Sequence, residues 1–294
     1  MYKMIKLYIS YYWDTTENIT KFWKKCMKPD VPLELVTNRD EADFYLVINR
    51  PHPQDNNDYF NKKTILVRME PFMDQHPEWW VDWANPDFSQ FYYVIAPPLA
   101  LNFIEWHLQK SYEELLHDFS QLKTKGNTLS VILSDKYNDE GQIKRIDFVR
   151  YLQTHYKDKI QIDVYGKGDL SKWGIKNHLG ELPIHNKEGG LQEYKYHFNC
   201  ENSFTRNYVT EKFYDPIFMN TLVFYEGAKN IRTLYPDGGF IHLHLDDFKL
   251  AADAIVHYIE NDEYTKQQEA IQKLKLHVLE TYSIAPRLYK LLNA

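Results

Sequence analysis

The segment Phe198-Asn199-Cys200-Glu201-Asn202-Ser203-Phe204-Thr205-Arg206-Asn207-Tyr208-Val209-Thr210-Glu211-Lys212 decides how this chain is read. An aromatic-flanked Glu-Asn-Ser is followed by a short polar loop, by Tyr-Val-Thr-Glu-Lys, and by an apolar run through Ile217 and Phe218. Asn202, Ser203 and Thr205 fall in the loop, where they can bond to backbone or to a ligand. Thr210-Glu211-Lys212 opens a helix. Unpaired N–H groups at a helix start favour an anion, and Lys212 adds a full positive charge there. Glu211 can accept hydrogen bonds from vicinal hydroxyls. A phosphate and a ribose together would use all of these groups. A capping box with Glu and Lys on a solvated face explains any one of them, but not the whole string.

Composition narrows the classes around that segment. The chain has 294 residues and a formal charge of −6, enough length for two domains with real cores. No Lys/Arg-rich run stands out, which argues against a nucleic-acid partner. The two cysteines, Cys26 and Cys200, are far apart and suggest a reducing compartment rather than a disulfide framework. Residues 1–9 read as a first strand without the apolar core of a signal peptide. No apolar stretch approaches the ~20 residues of a membrane span. Asn18-Ile19-Thr20 matches a glycosylation acceptor but is expected to go unused without a secretory signal. Aromatic residues make up 16% of the chain; they suit sugar stacking and ordinary cores equally and decide nothing alone.

Outward from the segment, strands and helices alternate. In the first half, strands are expected at Ile5–Tyr11, Leu33–Val36, Phe44–Ile48, Thr64–Arg68 and Tyr92–Ile95. Helices are expected at Thr16–Met27 and Leu101–Phe119. Gln121–Asn127 is polar, contains Gly and lacks periodicity, so it reads as a linker. Beyond it come strands at Leu129–Leu133, Ile160–Tyr165, Thr221–Tyr225 and Phe240–Leu243. Helices follow at Ile143–His155, Tyr208–Met219, Phe248–Glu260 and Glu263–Thr281, with a short one closing the chain. This predicts an α/β protein of two Rossmann-like domains facing a central cleft, residues 1–125 and 126–294. The proline after Glu70 keeps that residue out of helical geometry. Glu70 is therefore expected at the C-terminal end of a strand, where α/β sheets hold ligands.

The 198–212 segment closely resembles the donor-binding signature of the α1,3/α1,4-fucosyltransferases, glycosyltransferase family 10. Resemblance is strong over 129–260 and weak over 1–128. It implies a GT-B fold, GDP-fucose as donor held by the C-terminal domain, a glycan acceptor held by the N-terminal domain, and inversion at the anomeric carbon. It also implies roles. Arg145, on a helix after a strand ending in Ser134, matches the family's donor-binding Arg; without the resemblance, the wet face of an amphipathic helix is the preferred reading. Lys212 is the second cation on the diphosphate and Glu211 binds the ribose. Glu201, Asn202, Ser203 and Tyr208 complete the donor site. Glu70 matches the proposed base, although Met69-Glu70-Pro71 is one residue shorter than the family's Glu-Ser-Pro; Glu78 is the second choice. Gly238-Gly239-Phe240 stands where the family usually has Ser-Phe, which removes one hydroxyl.

The chain lacks the Asp-x-Asp triplet that holds a metal in the other glycosyltransferase fold. Cationic side chains and helix dipoles are thus expected to neutralise the diphosphate, with no metal required and no other cofactor. His242-x-His244 with Asp246 has metal-ligand character, but alternate residues on one face of a strand that runs into a helix cap are the better reading, and no metal ligand is assigned. Family members of the animal Golgi carry a membrane anchor and stem; none is visible here, so a soluble, cytoplasmic protein of bacterial or viral type is expected. Two rival readings share these residues: the same fold with another nucleotide sugar, and a degenerate glycan-binding protein without catalysis.

Overall fold

The computed structural model describes residues 4–55, 57–70 and 77–293. The chain divides into two compact units. Unit 1 comprises Met1–Glu105, Thr205–Tyr208 and Glu280–Ala294, and unit 2 comprises Trp106–Phe204 and Val209–Leu279. Where the sequence reading assigned all of 126–294 to one domain, the closing helix and four residues of the signature loop belong to unit 1.

Unit 1 is built on five parallel strands in the order β2-β1-β3-β4-β5. They are β1 (Ile5–Tyr11), β2 (Leu33–Val36), β3 (Phe44–Ile48), β4 (Thr64–Val67) and β5 (Tyr93–Ile95). Strand β4 is buried along its whole length and β3 along nearly all of it, as expected of a parallel sheet covered on both faces. Helix α1 (Thr16–Cys26) is capped by the Thr15 hydroxyl, which accepts the Asn18 N–H at 3.4 Å. It buries Ile19, Trp23 and Cys26, a spacing that puts all three on one helical face. The short α2 (Pro77–Trp80) precedes β5.

Unit 2 repeats the plan with five parallel strands in the order β10-β9-β8-β6-β7. The strands are β6 (Lys125–Ser134), β7 (Gln161–Lys167), β8 (Tyr194–Cys200), β9 (Leu222–Glu226) and β10 (Ile241–His242). The helices are α3 (Tyr112–Leu115), α4 (Glu140–His155), α5 (Glu211–Phe218), α6 (Ile231–Leu234), α7 (Phe248–Glu260) and α8 (Glu263–Thr281). A ninth, α9 (Ile284–Leu292), lies in the part of the chain that returns to unit 1. Val149 and Leu152 of α4 and Ala252 and Ile255 of α7 pack with Leu129, Phe198 and Phe224 of the sheet in one core. The expected α/β class with two Rossmann-like parallel sheets is what the chain adopts. Among the described residues no helix is long and apolar enough to cross a membrane.

Three element expectations are corrected. Leu101–Phe119 is not a helix; only Tyr112–Leu115 is helical there. Leu101, Asn102, Phe103, Ile104, Trp106 and Leu108 are all buried, which leaves no exposed helical face. Their backbone groups go elsewhere: Asn102 N–H to the Asn207 carbonyl, and His107 N–H to Asp215 Oδ1 at 3.0 Å. The expected linker is also structured, since Lys125–Asn127 extend β6 toward Tyr194 of β8. Helix α5 starts at Glu211 rather than at Tyr208, because Thr210 is its extended N-cap.

Candidate functional site

A parallel sheet offers a ligand crevice where neighbouring strands send their connections to opposite sides. In unit 2 that point lies between the C-terminal ends of β6 and β8. The start of α4 is set directly against the end of β8. Asp139 and Gln142 form a capping box there, and Gly141 N–H donates to the Asn202 carbonyl at 3.2 Å. A β-carbon on Gly141 would lie 1.7 Å from the Glu201 carbonyl oxygen, so only glycine permits this approach. One turn further, the buried Arg145 directs its guanidinium back to the same segment. Nη1 donates to the Cys200 carbonyl and Nη2 to Asn202 Oδ1 at 3.4 Å. Its Nε is buried and, among the described residues, has no hydrogen-bond partner.

Glu201 is fully buried. Its oxygens accept the Thr210 N–H at 2.8 Å, the Thr210 hydroxyl at 2.7 Å and the Tyr225 hydroxyl at 3.2 Å. Burial pushes its carboxyl up, and Lys212, 3.7 Å away, pulls it back. Because Thr210 caps α5, Glu201 fixes where that helix begins. Lys212 also contacts Thr210 Oγ1 and Glu211 Oε1, each at 3.2 Å. Burial works against its charge, but Glu211 and Glu201 more than restore it, while Arg145 repels it. Arg145 and Lys212 are therefore close enough to feel one another.

Two groups that the sequence reading passed over complete this cluster. Lys187 reaches Glu211 Oε1 at 3.0 Å and Asp215 Oδ2 at 3.6 Å. Burial disfavours the Glu211 charge, yet Lys187, Lys212 and His107 hold its carboxyl well below the usual range. Asp215, buried inside α5, is pushed up to about 6 by burial despite Lys187 and His107. A cavity of about 240 Å3 opens beside Lys187 and His107 at the ends of β6 and β7. Ile132, Leu133, Leu182, Pro183 and Ile184 make it largely apolar. Lys187 lies 24 residues before Glu211, in a loop with no periodicity, so spacing gave no signal. Asp215 reads as a polar residue of a helix; only its place amid Phe213, Tyr214, Ile217 and Phe218 hints at burial.

Six of the expected site residues fall in unit 2: Arg145, Glu201, Asn202, Ser203, Glu211 and Lys212. Of these, Arg145, Glu201, Asn202, Glu211 and Lys212 are joined by the contacts above, and Ser203 follows in the same half-buried loop. Glu70 and the buried Tyr208 belong to unit 1. Glu70 sits half-buried just past β4. Asn49 Oδ1 accepts the N–H groups of Met69 at 2.7 Å and Glu70 at 3.3 Å. Pro71 lies outside the described residues. Glu78 is exposed at the start of α2. Unit 1 has its own switch point, between β1 and β3. A cavity of about 380 Å3 lies there, walled by Tyr12, Tyr59, Trp83, Arg50, His52 and Asp55 among others.

Residues 122–275 match the family model described as glycosyltransferase family 10 (fucosyltransferase), C-terminal part. The chain belongs to this family. The matched span contains Arg145, the 198–212 segment, Lys187 and Asp215. Over 119 residues the chain is 30% identical to alpha-(1,3)-fucosyltransferase B of Drosophila melanogaster, covering 39% of this chain and 26% of that protein. It thus spans about a quarter of that family-10 relative. Among solved structures, an α1,3-fucosyltransferase superposes with a TM-score of 0.54 at 16% identity, over 96% of this chain and 92% of that one. The structure of an α1,3-fucosyltransferase with GDP gives 0.54 at 18% identity, with the same coverage. An α-glucosyltransferase solved with UDP and a 13-mer DNA gives 0.56 at 9% identity, over 98% of each chain. At these identities the likeness is one of fold, and it places this family-10 chain in the GT-B class.

Proposed function

We propose that this chain is an inverting fucosyltransferase that moves L-fucose from GDP-fucose to a hydroxyl of a glycan acceptor. The observation that carries the reading is the gathering of Arg145, Lys212 and Glu211 at the ends of β6 and β8 in a family-10 chain. The α1,3-fucosyltransferase solved with GDP shares the fold and supports GDP as the nucleotide.

The GDP diphosphate would lie over the starts of α4 and α5, against Arg145 and Lys212. Backbone N–H groups add to the field of these cations there. The ribose hydroxyls would donate to Glu211, which stays ionised beside Lys187 and Lys212. The base would fill the apolar cavity beside Lys187. Glu201 acts as a positioning residue, holding Thr210 and thereby Lys212. Asn202, Ser203 and Tyr208 shape the fucose end of the site.

The acceptor would use the unit 1 cavity, whose wall carries the aromatic Tyr12 and Trp83 beside the polar Arg50, His52 and Asp55. Asn49, which fixes the Glu70 backbone, directly precedes Arg50 in that wall. Glu70 would take the proton of the acceptor hydroxyl. The oxygen then attacks the anomeric carbon as the bond to the GDP oxygen breaks on the opposite face. Arg145 and Lys212 receive the charge that develops on GDP, so the transfer itself needs no metal. We place the protein in the cytoplasm, because both of its cysteines are free buried thiols.

Thermal unfolding against GDP, UDP, CMP, TDP and their sugars tests the donor. Saturation at about 100 times the dissociation constant stabilises by ~2.7 kcal/mol, a shift of several degrees. GDP and GDP-fucose should stabilise selectively, and Arg145→Ala should weaken GDP at least about tenfold, the scale of a lost charged hydrogen bond. Stabilisation by another nucleotide alone would overturn the donor assignment. Nucleotide binding without turnover on a broad glycan panel would favour the non-catalytic reading.

A further inference from the structure

Glu226, His242 and His244 lie outside the donor cluster and have no part in the transfer proposed above. We propose that they form a binding site for one divalent transition-metal ion of the zinc class. Their potential ligand atoms all lie within 4.8 Å of one another. His242 Nε2 is 4.0 Å from Glu226 Oε1, and the two imidazole rings are 4.5 Å apart.

The fold explains why these three meet. Strand β10 runs parallel to β9, with His242 opposite Tyr225, so Glu226 at the end of β9 comes alongside the residues after His242. His242 and His244 flank the buried Leu243 and leave the strand on one side. The Leu245 N–H donates to Glu226 Oε2 at 2.8 Å. That bond orients the carboxylate and leaves Oε1 toward His242. It is the kind of outer support that metal-ligating carboxylates carry.

Neither imidazole makes a hydrogen bond among the described residues, so both keep ring nitrogens for a ligand. Asp246, the carboxylate that sequence spacing offered, is instead engaged by Lys144 at 2.9 Å. The third ligand comes from the neighbouring strand, which no sequence spacing could show.

Two histidines and one carboxylate are a recognised protein ligand set for zinc, with the fourth position left to water. Zn–N bonds of about 2.0–2.1 Å require ligand atoms roughly 3.3 Å apart, so the set must contract. His244 is exposed and can supply the movement. A bound ion would tie the ends of β9 and β10 together. The Glu226 carbonyl accepts the Glu201 N–H at 2.9 Å, so the ion would brace the strand that carries the signature without touching the diphosphate site. The proposal is independent of which sugar the protein transfers.

The test is titration of the chelator-treated full chain with zinc by calorimetry, with thermal unfolding in parallel. One zinc per chain and a raised Tm are expected. His244→Ala and His242→Ala should each weaken zinc at least about tenfold, with His244→Ala unfolding like the wild type in the absence of metal. Cobalt should give a visible absorption band in the wild type that the double variant lacks. Absence of stoichiometric binding overturns the proposal. So does binding that survives the double substitution, which would mark adventitious surface zinc.

Discussion

Asp215 is a buried carboxyl whose proton affinity is raised from 3.8 to about 6. Between those values the folded state holds more protons than the unfolded state, so stability falls as pH rises through about 6. The full shift corresponds to at most about 3 kcal/mol. Asn at this position keeps an oxygen for the His107 N–H and removes the charge. Asp215→Asn should therefore match wild type in Tm near pH 4 and exceed it above pH 6, as unfolding scans at several pH values would show. An unchanged difference across that window would mean that Lys187 already neutralises the charge. Glu70 poses the complementary question, one of rate. Glu70→Gln should lower kcat by ~10²–10⁴, the usual worth of a positioned base, while GDP affinity measured by titration stays at the wild-type level. Residues of this kind differ in how they show in a sequence. Arg145, Glu201, Glu211 and Lys212 stand in recognisable strings. Lys187 joins them only through a loop whose path is set by the packing of Leu182 and Leu191, and no local pattern encodes that path.

At the scale of elements, the meeting of α4 with β8 is the most constrained junction. Alanine normally stabilises a helix by ~0.8–1.0 kcal/mol over glycine. At residue 141 the sign should reverse, because the added carbon meets the Glu201 carbonyl at 1.7 Å. Gly141→Ala should lower Tm by several degrees, in line with overpacking costs of about 1–3 kcal/mol. It should weaken GDP in parallel, since Asn202 and Arg145 are set by the same contact. Loss of stability with full GDP affinity would show that the junction supports the fold alone. The strands were legible because parallel sheets make continuous apolar runs; Phe44–Ile48, for example, has the same bounds in sequence and structure. The 101–119 segment was not legible. Its apolar residues reflect burial on all sides, which a periodicity argument reads as a helix face.

For the whole molecule, the alternation of strands and helices pointed to two parallel sheets, but not to how the chain shares itself between the units. Periodicity places Ile284–Leu292 as a helix; it does not say which core that helix serves. In the structure Ile104 bridges to Ser283. Arg287 bonds the Asn102 carbonyl at 2.7 Å and lies over the Phe103 ring. Leu288 is fully buried. Leu288→Ala should cost about 2–5 kcal/mol, visible as a lower denaturation midpoint, while GDP affinity, which the proposed donor site assigns to unit 2, stays unchanged. Reduced GDP affinity in that variant would mean that the last helix also supports the donor residues. The division of the chain has a further consequence for biosynthesis. Chains leave the ribosome at ≈ 5–20 residues per second, and domains generally fold as units in that order. Here every residue of unit 2 has been made by Leu279, whereas unit 1 still awaits Glu280–Ala294. The nascent chain therefore holds all of unit 2 before it holds all of unit 1. The first-made strands must wait for that last helix with part of their core uncovered.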